Sequence, residues 1–150
     1  QALLVAVVSY LCEDFIIDLK QLDTSGVELA RGLEMILEQL VAVVTSPRHV
    51  SFYRLVVNGS AHVPQVGQTW YEHGPKFWHQ LIANLLQEQR QRGAIATDAS
   101  TSEVPAILFD ALFSHLTTRT VMLGQTCTAK AFQPMIQELI ALVMRRLQVA

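Results

Sequence analysis

Apolar residues recur at steps of three and four along most of the chain, which is the spacing of one face of an α-helix. The clearest stripe lies near the amino terminus, at Leu4, Val8, Leu11, Phe15 and Leu19. The same spacing predicts helices over residues 1–22, 26–45, 47–57, 63–73 and 75–92, from the Ser100 region to about 123, and over 129–147.

Turn and capping residues separate these stripes. Ser25 and Glu28, and again Ser100 and Glu103, have the S-x-x-E spacing of a capping box, in which the two side chains satisfy free backbone N–H groups at a helix start. Ser46-Pro47 predicts another start, with proline at the first helical position. Gly74-Pro75 predicts a helix end or kink, and Gly93 a helix end.

The fold predicted from this pattern is all-α. No alternating strand pattern and no internal repeat competes with the helical periodicity. A chain of 150 residues fits one domain, so residues 1–150 are expected to form an antiparallel bundle of about six to seven helices.

Composition and charge narrow the possible partners. Hydrophobic residues make up 51% of the chain and charged residues 16%, so some apolar surface is expected to meet a ligand or a partner. The net charge is −2 and the 11 basic residues are scattered, which argues against direct contact with DNA by this segment. Apolar stretches such as 1–12 are too short to span a bilayer, so no membrane partner is expected.

Catalytic and metal-binding motifs are absent from the sequence. It has no nucleophile elbow, no phosphate-binding glycine loop and no H-E-x-x-H, so no catalytic residue, metal or cofactor is predicted. The two cysteines, Cys12 and Cys127, are too few for a disulfide framework and indicate reduced thiols in a cytoplasmic protein. Each is interpreted as a small core residue, with a redox-sensing thiol as the alternative.

A cluster of aromatic residues surrounds the predicted Gly74-Pro75 break. Trp70, Tyr71, Phe77 and Trp78 lie there together with two histidines. Rings with polar groups beside a helix break can line a cavity, because the kink prevents close packing against neighbouring helices. The alternative is that these rings belong to an ordinary core.

The last two predicted helices carry wide apolar stripes. Two such helices from each of two chains can form an intermolecular four-helix bundle, so a homodimer is expected, with intrachain packing as the alternative. The residues predicted for this interface are Leu112, His115, Leu116, Arg119, Met135, Leu139, Leu142 and Val143.

The stretch from Phe52 to Val57, followed by Pro64, resembles the middle of the regulatory domain of the TetR family of bacterial transcription regulators. Gly74, the Gly93-Ala94-Ile95 helix end, Asp98 and the apolar run from Phe109 to Leu112 follow in the same order. The resemblance covers nearly the whole chain. It implies a homodimeric regulator, most often a repressor, that releases operator DNA when a small molecule binds.

The resemblance also implies a helix-turn-helix domain upstream of Gln1, so that operator DNA would be contacted only through a part missing from this chain. The expected effector is a small, largely apolar or aromatic molecule. Stand-alone helical binding or carrier proteins and helical enzymes are the alternatives. The predicted ligand-binding residues are Phe15, Met35, Arg54, His62, Trp70, Tyr71, Trp78 and Phe109.

Overall fold

The computed structural model describes residues 1–147, and over this range it is all-helical, which confirms the predicted fold class. The last three residues of the predicted domain lie outside the described range. The α-helices are α1 (Ala2–Phe15), α2 (Ile17–Lys20), α3 (Leu29–Val44), α4 (Pro47–Ser60), α5 (Pro64–His73), α6 (Pro75–Gln91), α7 (Val104–Thr117) and α8 (Gln133–Arg146). A π-helical segment, Thr118–Met122, extends α7, and a 3₁₀ turn, Ala129–Phe132, precedes α8.

Three of the predicted helix boundaries are confirmed by their local chemistry. The Ser46 side chain accepts a hydrogen bond from the His49 backbone N–H, and Pro47 occupies the first turn of α4. Gly74 separates α5 from α6. At the end of α6, Gly93 has a φ of +77°. The N–H groups of Gly93 and Ala94 there bond back to Arg90 and Gln89, which forms a Schellman motif.

The two predicted capping boxes were wrong, because α3 begins only at Leu29 and α7 only at Val104. The Asp23 carboxylate accepts the Ser25 backbone N–H, which ties the first serine into a turn instead of a helix. The second serine lies in a loop whose Thr97 and Ala99 carbonyls accept hydrogen bonds from the Arg90 guanidinium.

The predicted first helix is interrupted at Ile16, where the backbone N–H bonds to the Glu13 carbonyl in a tighter turn. The interruption changes which core the chain faces. Val8 and Cys12 before it belong to a small core formed with α4 and α5, whereas Ile16 and Leu19 enter the main core. A straight helix of this length would have kept one face toward one core.

Helix α3 lies at the centre of the main core and packs against α6, α7 and α8. Helices α1, α4 and α5 pack together around the smaller core. The half-buried Trp70 contacts both cores. Trp70 thus lies at the boundary between the two cores, and the candidate site lies at this boundary.

Candidate functional site

A small cavity lies between the two cores, with a volume of about 30 Å³. Side chains from α1, α3, α4, α5, α6 and α7 reach it, so its shape depends on the packing of most of the bundle. It is lined by Cys12, Phe15, Ile16, Leu40, Val43, Val44, His49, Phe52, Trp70, Gly74, Pro75, Trp78, Phe109 and Phe113.

The break between α5 and α6 places the two tryptophans on the cavity wall. Trp70 precedes Gly74 and Trp78 follows it, and both residues of the Gly74-Pro75 break line the cavity themselves. A Cβ atom at Gly74 would stand 3.0 Å from the Trp70 carbonyl oxygen and 3.8 Å from the Cys12 sulfur. Glycine thus allows α1 and the end of α5 to approach closely here.

Helix α7 supplies two stacked rings to the cavity wall, next to the two tryptophans. The ring centroids of Phe109 and Phe113 are 5.2 Å apart and nearly parallel. Trp78 lies 6.2 Å from Phe109, and Trp70 lies 5.9 Å from Phe113. These separations are within the range of favourable aromatic pairs, so the wall is a continuous aromatic surface.

His49 places an imidazole ring in this wall, and it is only 5% exposed. Its ring lies 5.2 Å from Phe15 and 5.8 Å from Phe52, and it stacks at 6.1 Å on Tyr53. Within residues 1–147, its buried Nδ1 atom makes no hydrogen bond. Burial lowers the pKa of His49 from 6.5 to about 4, so the imidazole is neutral at pH 7.

Cys12 contributes a thiol that is buried and protonated. Burial, assisted by the nearby Glu13 carboxylate, raises the pKa of Cys12 to about 12. Its sulfur lies 3.9 Å from the Trp70 carbonyl oxygen, toward which the S–H group donates. A redox sensor needs an accessible thiolate, so this environment argues for the core interpretation of Cys12.

A surface cleft of about 480 Å³ lies directly outside the cavity. Cavity and cleft share the side chains of Phe15, Val43 and Trp78 as a common wall. Arg48 covers this wall, with its guanidinium 5.3 Å from the centre of the Phe15 ring, and it pairs with the Asp14 carboxylate. The cavity and the surface cleft therefore adjoin each other at these three side chains.

A comparison with protein families gives one match, the AefR-like transcriptional repressor C-terminal domain, over residues 31–148. The match spans most of the chain. The chain belongs to the TetR family. It is the C-terminal regulatory domain of a transcription regulator, from a family of regulators that are not enzymes. Neither the curated proteins nor the solved structures contain a match to this chain.

In this TetR-family domain, half of the predicted ligand-binding residues meet at the cavity: Phe15, Trp70, Trp78 and Phe109. Tyr71 is 48% exposed, because it follows the inward-facing Trp70 on the same helix and so points about 100° away from it. His62 is exposed in the connection between α4 and α5.

The other two predicted residues lie apart from the cavity lining. Met35 is half-buried on α3, outside both cores. Arg54 is exposed and donates a hydrogen bond to the Val121 carbonyl in the π-helical segment.

Sequence reasoning missed several cavity residues, chiefly His49, Phe52 and Phe113. Phe113 follows Phe109 by one helical turn, so its place on the same face could have been read from spacing. His49 and Phe52 offered a weaker signal, three residues apart in a helix of mixed polarity. Their burial depends on Phe15 of α1 and Phe113 of α7, which are distant in the sequence.

The residues predicted for a dimer interface divide into two groups. Leu112 and Leu116 are fully buried within one chain, and Leu139 and Val143 are at most 8% exposed, so these four belong to the protomer core. Leu142 is 52% exposed, whereas His115, Arg119 and Met135 are half-buried. The Arg119 Nε donates to His115 Nε2 at 3.2 Å, and the His115 ring packs against Phe132.

The structure adds two findings on metals and membranes. Over the described range, no three His, Cys, Asp or Glu side chains converge in a way that could hold a metal ion. None of the helices in residues 1–147 combines the length and apolar character required to cross a bilayer.

Proposed function

We propose that this domain binds a small, largely apolar or aromatic effector and dimerises as part of a bacterial transcriptional repressor acting in the cytoplasm. The observation that carries the proposal is the aromatic cavity between the two cores. The repressor role is supported by the description of the matching family. Operator DNA would be bound through a separate helix-turn-helix domain, since the basic residues of this chain are few and scattered.

The lining of the cavity supports an apolar effector. Among the residues that the structure describes, no Asp, Glu, Lys or Arg reaches the cavity. An ionised group moved into such a wall would lose its hydration without gaining an opposite charge, which costs several kcal/mol or more. A planar aromatic compound would instead continue the ring packing already present.

The size of the cavity implies that binding requires movement. About 30 Å³ holds little more than a water molecule or two, whereas small-molecule sites usually measure several hundred Å³. The adjoining cleft supplies that room if Phe15 rotates out of the shared wall. Entry would then require the Phe15 ring to leave its contact with Arg48, whose pairing with Asp14 holds the guanidinium in place.

Dimerisation is supported by apolar side chains left on the outer surfaces of α7 and α8. Ile107 on α7 is 56% exposed, and Leu142 on α8 is 52% exposed. Met135 adds a half-buried side chain on α8. A partner chain covering both helices would remove these groups from water, which is the usual source of stability in homodimers.

Helix α7 offers a direct link between effector and dimer. Its inner face supplies Phe109 and Phe113 to the cavity wall, and its outer face supplies Ile107. An effector that displaces the phenylalanines shifts the whole helix, because a packed helix moves as a unit. The effector would thus favour one dimer arrangement, provided that it binds the two arrangements with different affinity.

The cavity can be tested with bromobenzene, whose heavy atom quenches tryptophan fluorescence on contact. The chain has two tryptophans, and both line the cavity. We expect quenching that saturates, together with a rise in melting temperature that grows with ligand concentration. The single-tryptophan variants Trp70→Phe and Trp78→Phe should both retain saturable quenching. Quenching that rises linearly in both variants, without thermal stabilisation, would refute the binding site.

A further inference from the structure

The cavity wall contains a hydrogen-bonding group that the protein itself leaves unpaired. His49 projects from α4 into the lining between Phe15, Phe52 and Phe113, and its ring contacts all three. Its Nδ1 atom is fully buried and has no hydrogen-bond partner within the described part of the chain. Buried polar groups are nearly always paired, so an unpaired one in a cavity wall is available to a molecule that occupies the cavity.

Three other polar side chains near His49 already have partners of their own. The Cys12 thiol donates to the Trp70 carbonyl. The Ser46 hydroxyl donates to the Val43 carbonyl and accepts the His49 backbone N–H. Arg48, next to His49 in the sequence, pairs with Asp14 on the solvent side of Phe15. The indole groups of Trp70 and Trp78 also belong to the lining, but among the lining residues His49 is the one whose fully buried nitrogen has no partner within residues 1–147.

The chemistry of a neutral imidazole restricts the matching ligand. One ring nitrogen donates a hydrogen bond and the other accepts one, and the hydroxyl group can complement either nitrogen because it both donates and accepts. A carboxylate would bring a charge that no cation in this wall compensates. An ammonium group would lack a carboxylate partner. The surrounding rings favour a flat aromatic body.

We propose that His49 selects the effector, and that the preferred effector is an uncharged aromatic compound carrying a hydroxyl group, such as a phenol. The inference rests on the proposed effector-binding function and assigns its specificity to one side chain. The aromatic walls bind the ring of the ligand, and His49 binds its hydroxyl. A ligand without the hydroxyl leaves Nδ1 unpaired in the complex, and this lowers its affinity.

Matched bromoaromatic compounds test this selection through the quenching of Trp70 and Trp78. At pH 7 we expect 4-bromophenol to bind about tenfold more tightly than bromobenzene, as one buried hydrogen bond predicts. In a cavity without a partner for the hydroxyl, the order would be reversed, because burying an unpaired hydroxyl is unfavourable. We expect 4-bromobenzoate to bind more weakly than either compound.

The variant His49→Phe keeps a ring of similar size and removes both nitrogens. We expect it to lose the tenfold preference for 4-bromophenol while still binding bromobenzene. Tyr71→Phe, which removes a hydroxyl from the exposed face of α5, serves as the control and should keep the preference. If His49→Phe fails to fold, His49→Leu is measured in its place. Its apolar side chain offers the hydroxyl no hydrogen-bond partner, so this variant should also lose the preference.

The outcomes separate the two proposals. Saturable binding of bromobenzene with no preference for 4-bromophenol in the unmodified protein would overturn the role of His49 and leave the cavity as a binding site. A preference that persists in His49→Phe, or tighter binding of 4-bromobenzoate, would overturn it as well. If none of the three compounds shows saturable binding, both the proposed function and the selectivity fail.

Discussion

The buried histidine makes the stability of this domain depend on pH in a direction that can be worked out. The pKa of His49 is 6.5 in an exposed setting and about 4 in the folded protein, because burial disfavours the imidazolium ion. The unfolded chain thus takes up a proton near pH 6.5 and the folded protein only near pH 4. Lowering the pH through this window favours unfolding, and the stabilisation is fully present above about pH 6.5.

The magnitude follows from the two pKa values. A difference of about 2.5 units corresponds to roughly 3 kcal/mol across the whole window. Between pH 7 and pH 5, the part of this free energy that is lost is about 2 kcal/mol. The groups facing the ring do not offset it: Phe15, Phe52 and Phe113 are apolar, and burial raises the pKa of Tyr53 further above this range.

Urea unfolding at pH 7 and pH 5, at one protein concentration, measures the effect. We expect the unmodified protein to lose about 2 kcal/mol more than His49→Gln, which has no titrating group at this position. His62→Gln is the matched control, since His62 is exposed, and it should behave like the unmodified protein. Equal losses in the unmodified protein and in His49→Gln would refute the assignment of His49 as a buried, neutral side chain.

Three further predictions concern packing and assembly. Phe109→Ala should lower the free energy of unfolding in urea by about 3 to 5 kcal/mol, because it removes a buried ring from the cavity wall. Tyr71→Ala, at an exposed position, should lower it by less than about 1 kcal/mol. Val44→Ile should stabilise the domain by up to about 0.8 kcal/mol by placing one methyl group in the cavity; a loss of stability would indicate that the wall is already tightly packed. Leu142→Glu should convert the dimer to a folded monomer, as measured by sedimentation. Leu3→Glu, at another exposed apolar position, should leave the dimer intact. A dimer unaffected by Leu142→Glu would place the interface elsewhere.

The dimer variants illustrate a limit of helical spacing. The sequence places Leu139, Leu142 and Val143 on one wide stripe of α8, and spacing alone does not divide that stripe into an inner and an outer part. In the structure Leu139 and Val143 face the protomer core, so a charge at either position would unfold the chain. Leu142 is the position where a charge tests association alone.

Helix boundaries were predictable wherever the signal was a property of one or two neighbouring residues. Pro47 and the Gly74-Pro75 break act through fixed backbone geometry, and Gly93 acts through its freedom to adopt a positive φ. The capping boxes failed because an S-x-x-E pattern competes with other partners. The Ser25 backbone N–H donates to the Asp23 carboxylate, which forms a turn. The loop that contains Ser100 accepts a hydrogen bond from Arg90 through the Ala99 carbonyl.

The aromatic cluster beside the Gly74-Pro75 break has some features that neighbouring residues predict and others that depend on packing between helices. The all-helical chain, the break at this point and the presence of rings around it can be predicted from the sequence, because periodicity and backbone conformation are local properties. The packing of the folded chain is needed to show that Trp70 and Trp78 face a cavity and Tyr71 faces solvent. It also shows that His49 belongs to the cavity wall. Burial is set by what packs against a residue, and here those neighbours come from helices far apart in the chain.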